Sequence, residues 1–238
     1  MTTDELAILP FYERTKGEFA HSETFVWPFF GYTHSENPVY DEQRWFWPFV
    51  VTADGEDRHI RRFAPFYAYS NRKGVENTWL LWPLLRNQKW SEGGLDFEKT
   101  QFLYFLYWNL DERSATNPDL AHARKTHIWP LASYWNNGAG RTQFQFLSPL
   151  EVFFQHNETV RTVYSPLFSI YRYDKRASGD VHTSFLFSLV TYHREGDERE
   201  FNLGPLLETE RNASGLRKVT LFKLIPLYSR RPKTETGQ

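Results

Sequence analysis

The residues of this chain that could carry acid–base or metal chemistry are eight histidines: His21, His34, His59, His122, His127, His156, His182 and His193. Only His122 and His127 are neighbours, five positions apart in or beside a long loop, and no carboxylate stands at a usable spacing. A helical metal site would place two histidines four apart on one face. Neither that spacing nor a helix is evident, so the histidines read as scattered surface or strand-end side chains. Cys is absent, which removes thiolate nucleophiles, disulfides and Cys-ligated metals. The acidic turns Asp54-Gly-Glu-Asp57 and Glu195-Gly-Asp-Glu198 lack the alternating oxygen ligands of a calcium loop. No nucleophile elbow, phosphate loop or dinucleotide fingerprint occurs. Asn157-Glu-Thr159 and Asn212-Ala-Ser214 match the glycosylation pattern, without a visible signal peptide to give it meaning. The expectation is a protein that is not an enzyme, with no cofactor and no catalytic or metal residues.

Composition narrows the class further. The 238 residues include 9 Trp, 13 Tyr and 21 Phe, against 28 basic and 29 acidic side chains. Near-zero net charge speaks against a general nucleic-acid binder. Aromatic richness excludes disorder. A mean hydropathy of −0.61 excludes a helical membrane protein. The N-terminus has neither a basic segment nor an apolar run of signal-peptide type, so a cytoplasmic location is expected. Basic residues gather at Arg58-His-Ile-Arg-Arg62 and at Arg211, Arg217, Lys218, Lys223, Arg230, Arg231 and Lys233. The second group could serve a phosphate or an anionic membrane surface, or else form solvated strand ends paired with Glu208 and Glu210.

The aromatics are not scattered. A short motif recurs: Val26-Trp-Pro-Phe29, Phe46-Trp-Pro-Phe49, Phe63-Ala-Pro-Phe66, Leu81-Trp-Pro-Leu84 and Ile128-Trp-Pro-Leu131, with weaker copies elsewhere. The proline position falls at 10, 28, 48, 65, 83, 105, 130, 149, 166, 188, 205 and 226, with Phe105 and Ser188 replacing the proline. The mean interval is about 20 residues, a repeat period. Between copies lie turn signals such as Asn71-Arg-Lys-Gly74, Ser91-Glu-Gly-Gly94 and Asn212-Ala-Ser-Gly215. One turn per repeat implies one long strand per repeat, so the pattern predicts an all-β, twelve-stranded antiparallel up-and-down meander without substantial helix. The longest irregular stretch is expected at Asp111–Arg124. No linker divides the chain, so residues 1–238 read as one domain, with 232–238 as a mobile tail.

Within each copy the residues two before and one after the proline position are apolar throughout. Strand side chains alternate faces, so a separation of three puts these two on opposite sides. Either both faces are buried mid-strand or an extra residue forms a bulge. Proline favours the bulge, because it cannot donate to a ladder. Twelve strands exceed what an open twisted sheet usually holds, which predicts closure into a shallow barrel, with a two-sheet sandwich as the rival. The interior would be lined by Trp27, Phe29, Trp47, Phe49, Phe66, Trp82, Leu84, Leu106, Trp129, Leu131, Leu150, Leu167, Leu189, Leu206 and Leu227, the candidate ligand-binding set.

Tandem strands with a central Trp-Pro-Phe/Leu step resemble the β-flower families over almost the whole chain, from Ile8 to Tyr228. That resemblance implies a shallow, roughly symmetric barrel with an apolar channel and hairpins splayed as petals. The fold type is in turn similar to Tubby-like domains, which associate with lipids. It thereby implies a hydrophobic or lipid-like ligand, or a peripheral membrane surface, as partner; that no nucleic acid is expected follows from the charge balance. No catalytic residue is carried over. Two alternatives stand beside this: a structural or protein-interaction scaffold, and an outer-membrane-type barrel. The apolar windows Phe63–Tyr69 and Trp79–Leu85 are short for the last, since a spanning strand needs about 9–11 residues.

Overall fold

A computed structural model describes residues 4–117, 119–154, 157–222 and 224–230. The 232–238 tail, Pro118, His156, Lys223, Arg231 and Lys233 therefore lie outside the described residues. The chain forms two compact units, Met1–Tyr104 with Glu112–Pro118, and Phe105–Asp111 with Asp119–Gln238.

The first unit contains β1 (Asp4–Ile8), β2 (Tyr12–Lys16), β3 (Ala20–Phe25), β4 (Phe30–Glu36), β5 (Val39–Trp45) and β6 (Val50–Gly55). It continues with β7 (Arg58–Phe63), β8 (Tyr67–Arg72), β9 (Val75–Leu80), β10 (Leu85–Glu92) and β11 (Leu95–Phe102). Strand β12 (Tyr107–Ser114) is divided between the units. The second unit contains β13 (Ala123–Ile128), β14 (Ala132–Asn136), β15 (Thr142–Phe146), β16 (Tyr171–Lys175) and β17 (Val181–Phe185). It ends with β18 (Val190–Glu195), β19 (Glu198–Leu203), β20 (Leu207–Arg211), β21 (Arg217–Leu221) and β22 (Ile225–Arg230). Within each unit every strand pairs antiparallel with its sequence neighbours, from β1 to β11 and from β13 to β22.

The all-β antiparallel meander is as the sequence predicts, but the strand count is not. Among the described residues there are 22 strands where twelve were expected. No described pairing joins the first strand of either unit to its last, so the predicted closure into a barrel is absent.

The strand count has one cause. The aromatic-Pro motif does not bend a long strand; it reverses the chain. The Phe29 amide donates to the Val26 carbonyl (3.0 Å), Phe49 to Phe46 (2.8 Å), Leu84 to Leu81 (2.8 Å) and Leu206 to Leu203 (3.0 Å). These are the bonds of four-residue turns, and the proline occupies the third position, where no amide donor is required. The peptide before it is cis at Pro10, Pro28, Pro48, Pro65, Pro83 and Pro130. The three-residue spacing between the two invariant apolar positions is thus the span of a turn, not a bulged strand.

Among the described pairings the predicted bulge occurs at one copy. Pro226 and Leu227 lie inside β22, where Thr220 pairs with Pro226 and Val219 with Tyr228, so the ladder skips Leu227. Another copy leaves the sheet: Pro166 and Leu167 sit in a single 3₁₀ turn, Ser165–Phe168, after a π-helical turn at Val160–Tyr164. That segment belongs to the 147–170 connection between β15 and β16, which still pair through Phe146 and Tyr171. This connection is longer than the predicted irregular stretch, which β12 and β13 enter only at its ends, over 111–114 and 123–124.

Candidate functional site

In a meander successive reversals fall on alternate edges of the sheet. In the first unit the turns at 9–11, 26–29, 46–49, 64–66 and 81–84 lie along one edge, and the polar tips at 17–19, 37–38, 56–57, 73–74 and 93–94 along the other. The apolar turns are tied into a row. The Val26 amide donates to the Phe11 carbonyl (2.8 Å), Trp47 to Phe29 (2.8 Å), Ala64 to Phe49 (2.8 Å), Leu81 to Phe66 (2.8 Å) and Leu103 to Leu84 (2.7 Å). The second unit repeats this, with Leu147 donating to Leu131 (2.6 Å), Gly204 to Leu189 (2.6 Å) and Phe222 to Leu206 (2.9 Å).

The residues predicted to line an interior stand on this edge instead. Trp27, Phe29, Trp47, Phe49, Phe66, Trp82 and Leu84 are exposed on the first unit, as are Leu131, Leu189 and Leu206 on the second. Leu106 and Leu150 are half-buried. Trp129 is half-buried too, packed edge-on against Phe105 (5.4 Å) and Phe153 (6.2 Å) with its indole N–H on the Pro149 carbonyl (3.2 Å). Leu167 and Leu227 are exposed in the irregular copies. These side chains do not converge on one interior, because turn residues project past the sheet edge rather than from a face.

Strand register extends the apolar edge by one row, which the sequence reading missed. Ile8, Tyr12, Phe25 and Phe30 follow one another across β1–β4, then Trp45, Val50, Phe63, Tyr67, Leu80, Leu85 and Phe102 across β5–β11. In the second unit the row is Ile128, Ala132, Phe146, Tyr171, Phe185, Val190, Leu203, Leu207, Leu221 and Ile225. Most of these positions flank the motif by two or three residues, and inspection of the flanks would have found them.

Alternation puts the intervening residues on the opposite face, and that face is polar. On the first unit Arg44, one residue inward from the apolar row, donates to Ser22 (3.4 Å) and Thr24 (3.3 Å) and lies 3.6 Å from Glu42. Gly31 opposes it, and any Cβ there would meet the Glu23 carbonyl at 2.5 Å, so the small residue admits the guanidinium. Arg86 bonds Asn77 (2.8 Å) over the Trp79 ring. A small apolar cluster of Val51, Ala53 and Ile60 completes this face.

On the second unit the same face buries His127, Ser133, Gln145, Arg172 and Ser184. Arg172 donates to Gln145 (2.8 Å), whose amide donates to the carbonyls of Leu147 (2.9 Å) and Ser165 (3.1 Å). Glu151 accepts from the Ser165 hydroxyl (3.0 Å) and lies 3.6 Å from His127, which stacks on Trp108. Burial alone would lift the Glu151 carboxyl, but His127, Ser165 and Arg172 hold it below the ordinary carboxylate range. Ser, His and Glu here resemble a catalytic set in type only. Glu151 lies between the other two, all three are buried, and the serine has no imidazole as its base. His127 thus departs from the surface role read from sequence, since the strand parity that buries it becomes visible only with the register.

Concave features follow the same division. The first unit has grooves of about 450 Å³, lined by Pro48, Phe49, Arg62, Pro65, Tyr67, Trp79 and Trp82 among others, and about 340 Å³, lined by Phe25, Phe30, Tyr32, Arg44 and Trp45 among others. The second has a cavity of about 250 Å³ walled by Arg141, Arg172, Asp174, Arg176, His182 and His193 among others. No cluster of three metal-ligating side chains and no helix long and apolar enough to cross a membrane occurs among the described residues. Comparison with protein-family models, curated proteins and solved structures found no match.

The balance of burial marks the edge as the candidate site. Among the described residues five apolar side chains are buried, whereas 48 large ones are exposed. Exposed apolar residues scattered singly mean little, but a contiguous band rimmed by polar residues marks an interaction surface.

Proposed function

We propose that this protein binds a lipid surface, with the edge of aromatic-Pro turns and the adjoining apolar row seated in the membrane interface. The observation that carries the reading is the thickness of the band. In the first unit the next row on the same face is already mostly polar, with Arg14, Glu23, Gln43, Thr52, Arg61, Thr78, Asn87 and Thr100 beside Leu6, Tyr32 and Tyr69. The apolar depth is one turn plus about two strand residues, or roughly 7 Å along the strand. Interfacial elements seat their apolar side about 5–10 Å deep, whereas crossing a bilayer needs about 30 Å. Exposed Trp27, Trp47 and Trp82 supply rings of the kind enriched at that boundary.

Floatation with phosphatidylcholine vesicles tests this. The protein should rise with the vesicles, with a blue shift of tryptophan emission, and the triple variant Trp27→Asp, Trp47→Asp, Trp82→Asp should stay at the bottom with an unchanged urea midpoint. Failure of the parent protein to float, or floatation of the variant as strong as the parent's, would overturn the proposal.

A further inference from the structure

Above the apolar row the two units diverge. On the second unit, two strand residues further from the turns, the same face carries Tyr134, Phe144, Tyr173, Tyr192, Phe201 and Tyr228, interspersed with threonines and Val219. Two residues beyond these comes a ladder of cations. Arg194 pairs with Arg199, Arg199 with Arg211, Arg211 with Arg217, and Arg217 with Arg230. Lys175 stands in the same row, separated from Arg194 only by Val181.

Five arginines on five consecutive strands, each directly opposite the next, are an unfavourable arrangement by themselves, because like charges across a ladder repel. All five are exposed, and none forms an ion pair among the described residues. Glu195, Glu198, Glu200 and Glu210, each adjoining an arginine of the row along its own strand, project from the opposite face. The row therefore lacks an internal counter-charge.

We infer that this arginine ladder binds the phosphates of an anionic phospholipid surface, setting both the headgroup preference and the depth of insertion. The inference rests on the membrane reading above and adds its chemistry. The three levels are spaced by two strand residues each, about 6.6 Å. With the apolar row at the acyl boundary, the tyrosine-rich row falls at the outer margin of a headgroup layer roughly 5–7 Å thick, and the ladder's backbone stands about one row further out. Tyrosines belong at that boundary. Long arginine side chains then reach down over the rings to the phosphates, and the guanidinium fork matches phosphate oxygens. A duplex nucleic acid would use the cations and leave the apolar row beneath them without a role, which is why a lipid surface is the occupant chosen.

The test compares phosphatidylcholine vesicles with vesicles containing phosphatidylglycerol, at one ionic strength. The protein should bind the anionic vesicles more tightly. Arg194→Gln, Arg199→Gln, Arg211→Gln together should lower that affinity roughly 100-fold, at about 1 kcal/mol per cation, and leave binding to phosphatidylcholine unchanged. Its urea midpoint should be equal or higher, because repulsion is removed, and the corresponding triple Lys variant should keep the preference for anionic vesicles. Equal affinity of the parent protein for both vesicle types, or a Gln variant that still prefers the anionic ones, overturns the inference. So does a duplex DNA that binds more tightly than the anionic vesicles and competes with them. Loss of phosphatidylcholine binding in the tryptophan variant bears on the apolar edge alone, so the two proposals fail separately.

Discussion

At the level where the second unit carries its arginine ladder, the first carries the opposite. The equivalent row there runs Asp4, Lys16, His21, His34, Asp41, Asp54, His59, Asn71, Glu76, Lys89 and Glu98. Several of these charges are matched within the row or by the row beneath it: His34 bonds Asp41 (2.5 Å), Lys89 lies 3.5 Å from Glu98, and Asp54 lies 3.2 Å from His59 and accepts two bonds from Arg61 below (2.9 and 2.8 Å). Asp54 is accordingly held below its ordinary pKa, first by Arg61 and then by His59. An apolar row of turns on each unit does not make the units equivalent. Similar apolar turns carry a mixed-charge row in one and, among the described residues, a cationic row without ion pairs in the other, so on the proposed reading headgroup selectivity lies in the second. The opposite faces differ too, since the second unit buries its ions more deeply.

That last contrast predicts the largest effect. Glu151→Ala removes one partner of a buried cluster and should destabilise the second unit by about 3–5 kcal/mol. Amide hydrogen exchange would show protection falling across β13–β22 and less change across β1–β11; equal loss in both would erase the distinction. The charge contrast predicts a smaller effect of opposite sense. Asp41→Lys with Asp54→Lys gives the first unit cations at the ladder's level, and affinity for phosphatidylglycerol vesicles should rise, roughly 5-fold per added cation. Unchanged affinity would mean that row does not face the lipid.

The smallest effect concerns pH. Hydrogen bonding to Asp41, and then its charge, raises the His34 pKa above the ordinary 6.5. A group raised in the folded state contributes stability that is present below its unfolded value and lost as pH rises through the folded one. Both groups are exposed, so the contribution is slight. Nuclear magnetic resonance titration of His34 should show a pKa that returns to the ordinary value in Asp41→Asn; an unaltered pKa would remove the pairing from the comparison.

Much of this fold was legible in the chain. The Asn/Gly tips and aromatic runs specify antiparallel hairpins, and the motif marks its own level in the sheet. What misled was the meaning of Pro28 and its equivalents: proline without an amide donor suits a bulge or a turn, and only the Val26–Phe29 hydrogen bond decides between them. Taking it as a bulge halved the strand count and turned Trp27, Trp47 and Trp82 inward. The arginine ladder was obscured for a related reason. Arg199 and Arg211 stand six residues on either side of Pro205, and Arg194 six beyond Ser188, but those distances become neighbours only when the motif reverses the chain. The buried set around Glu151 had no sequence signal, since it depends on how the 147–170 connection lies back on its own unit.

The sequence-adjacent pairing also has a kinetic consequence. Within each unit every ladder joins strands already consecutive in the chain, and a connection as long as 147–170 is an exception. Each hairpin closes a short loop, so the sequence separation of contacts is small for an all-β protein. Chains of low contact order fold quickly, while most β architectures are slow because distant strands must meet first. Each unit should therefore zip along its length from any well-formed hairpin.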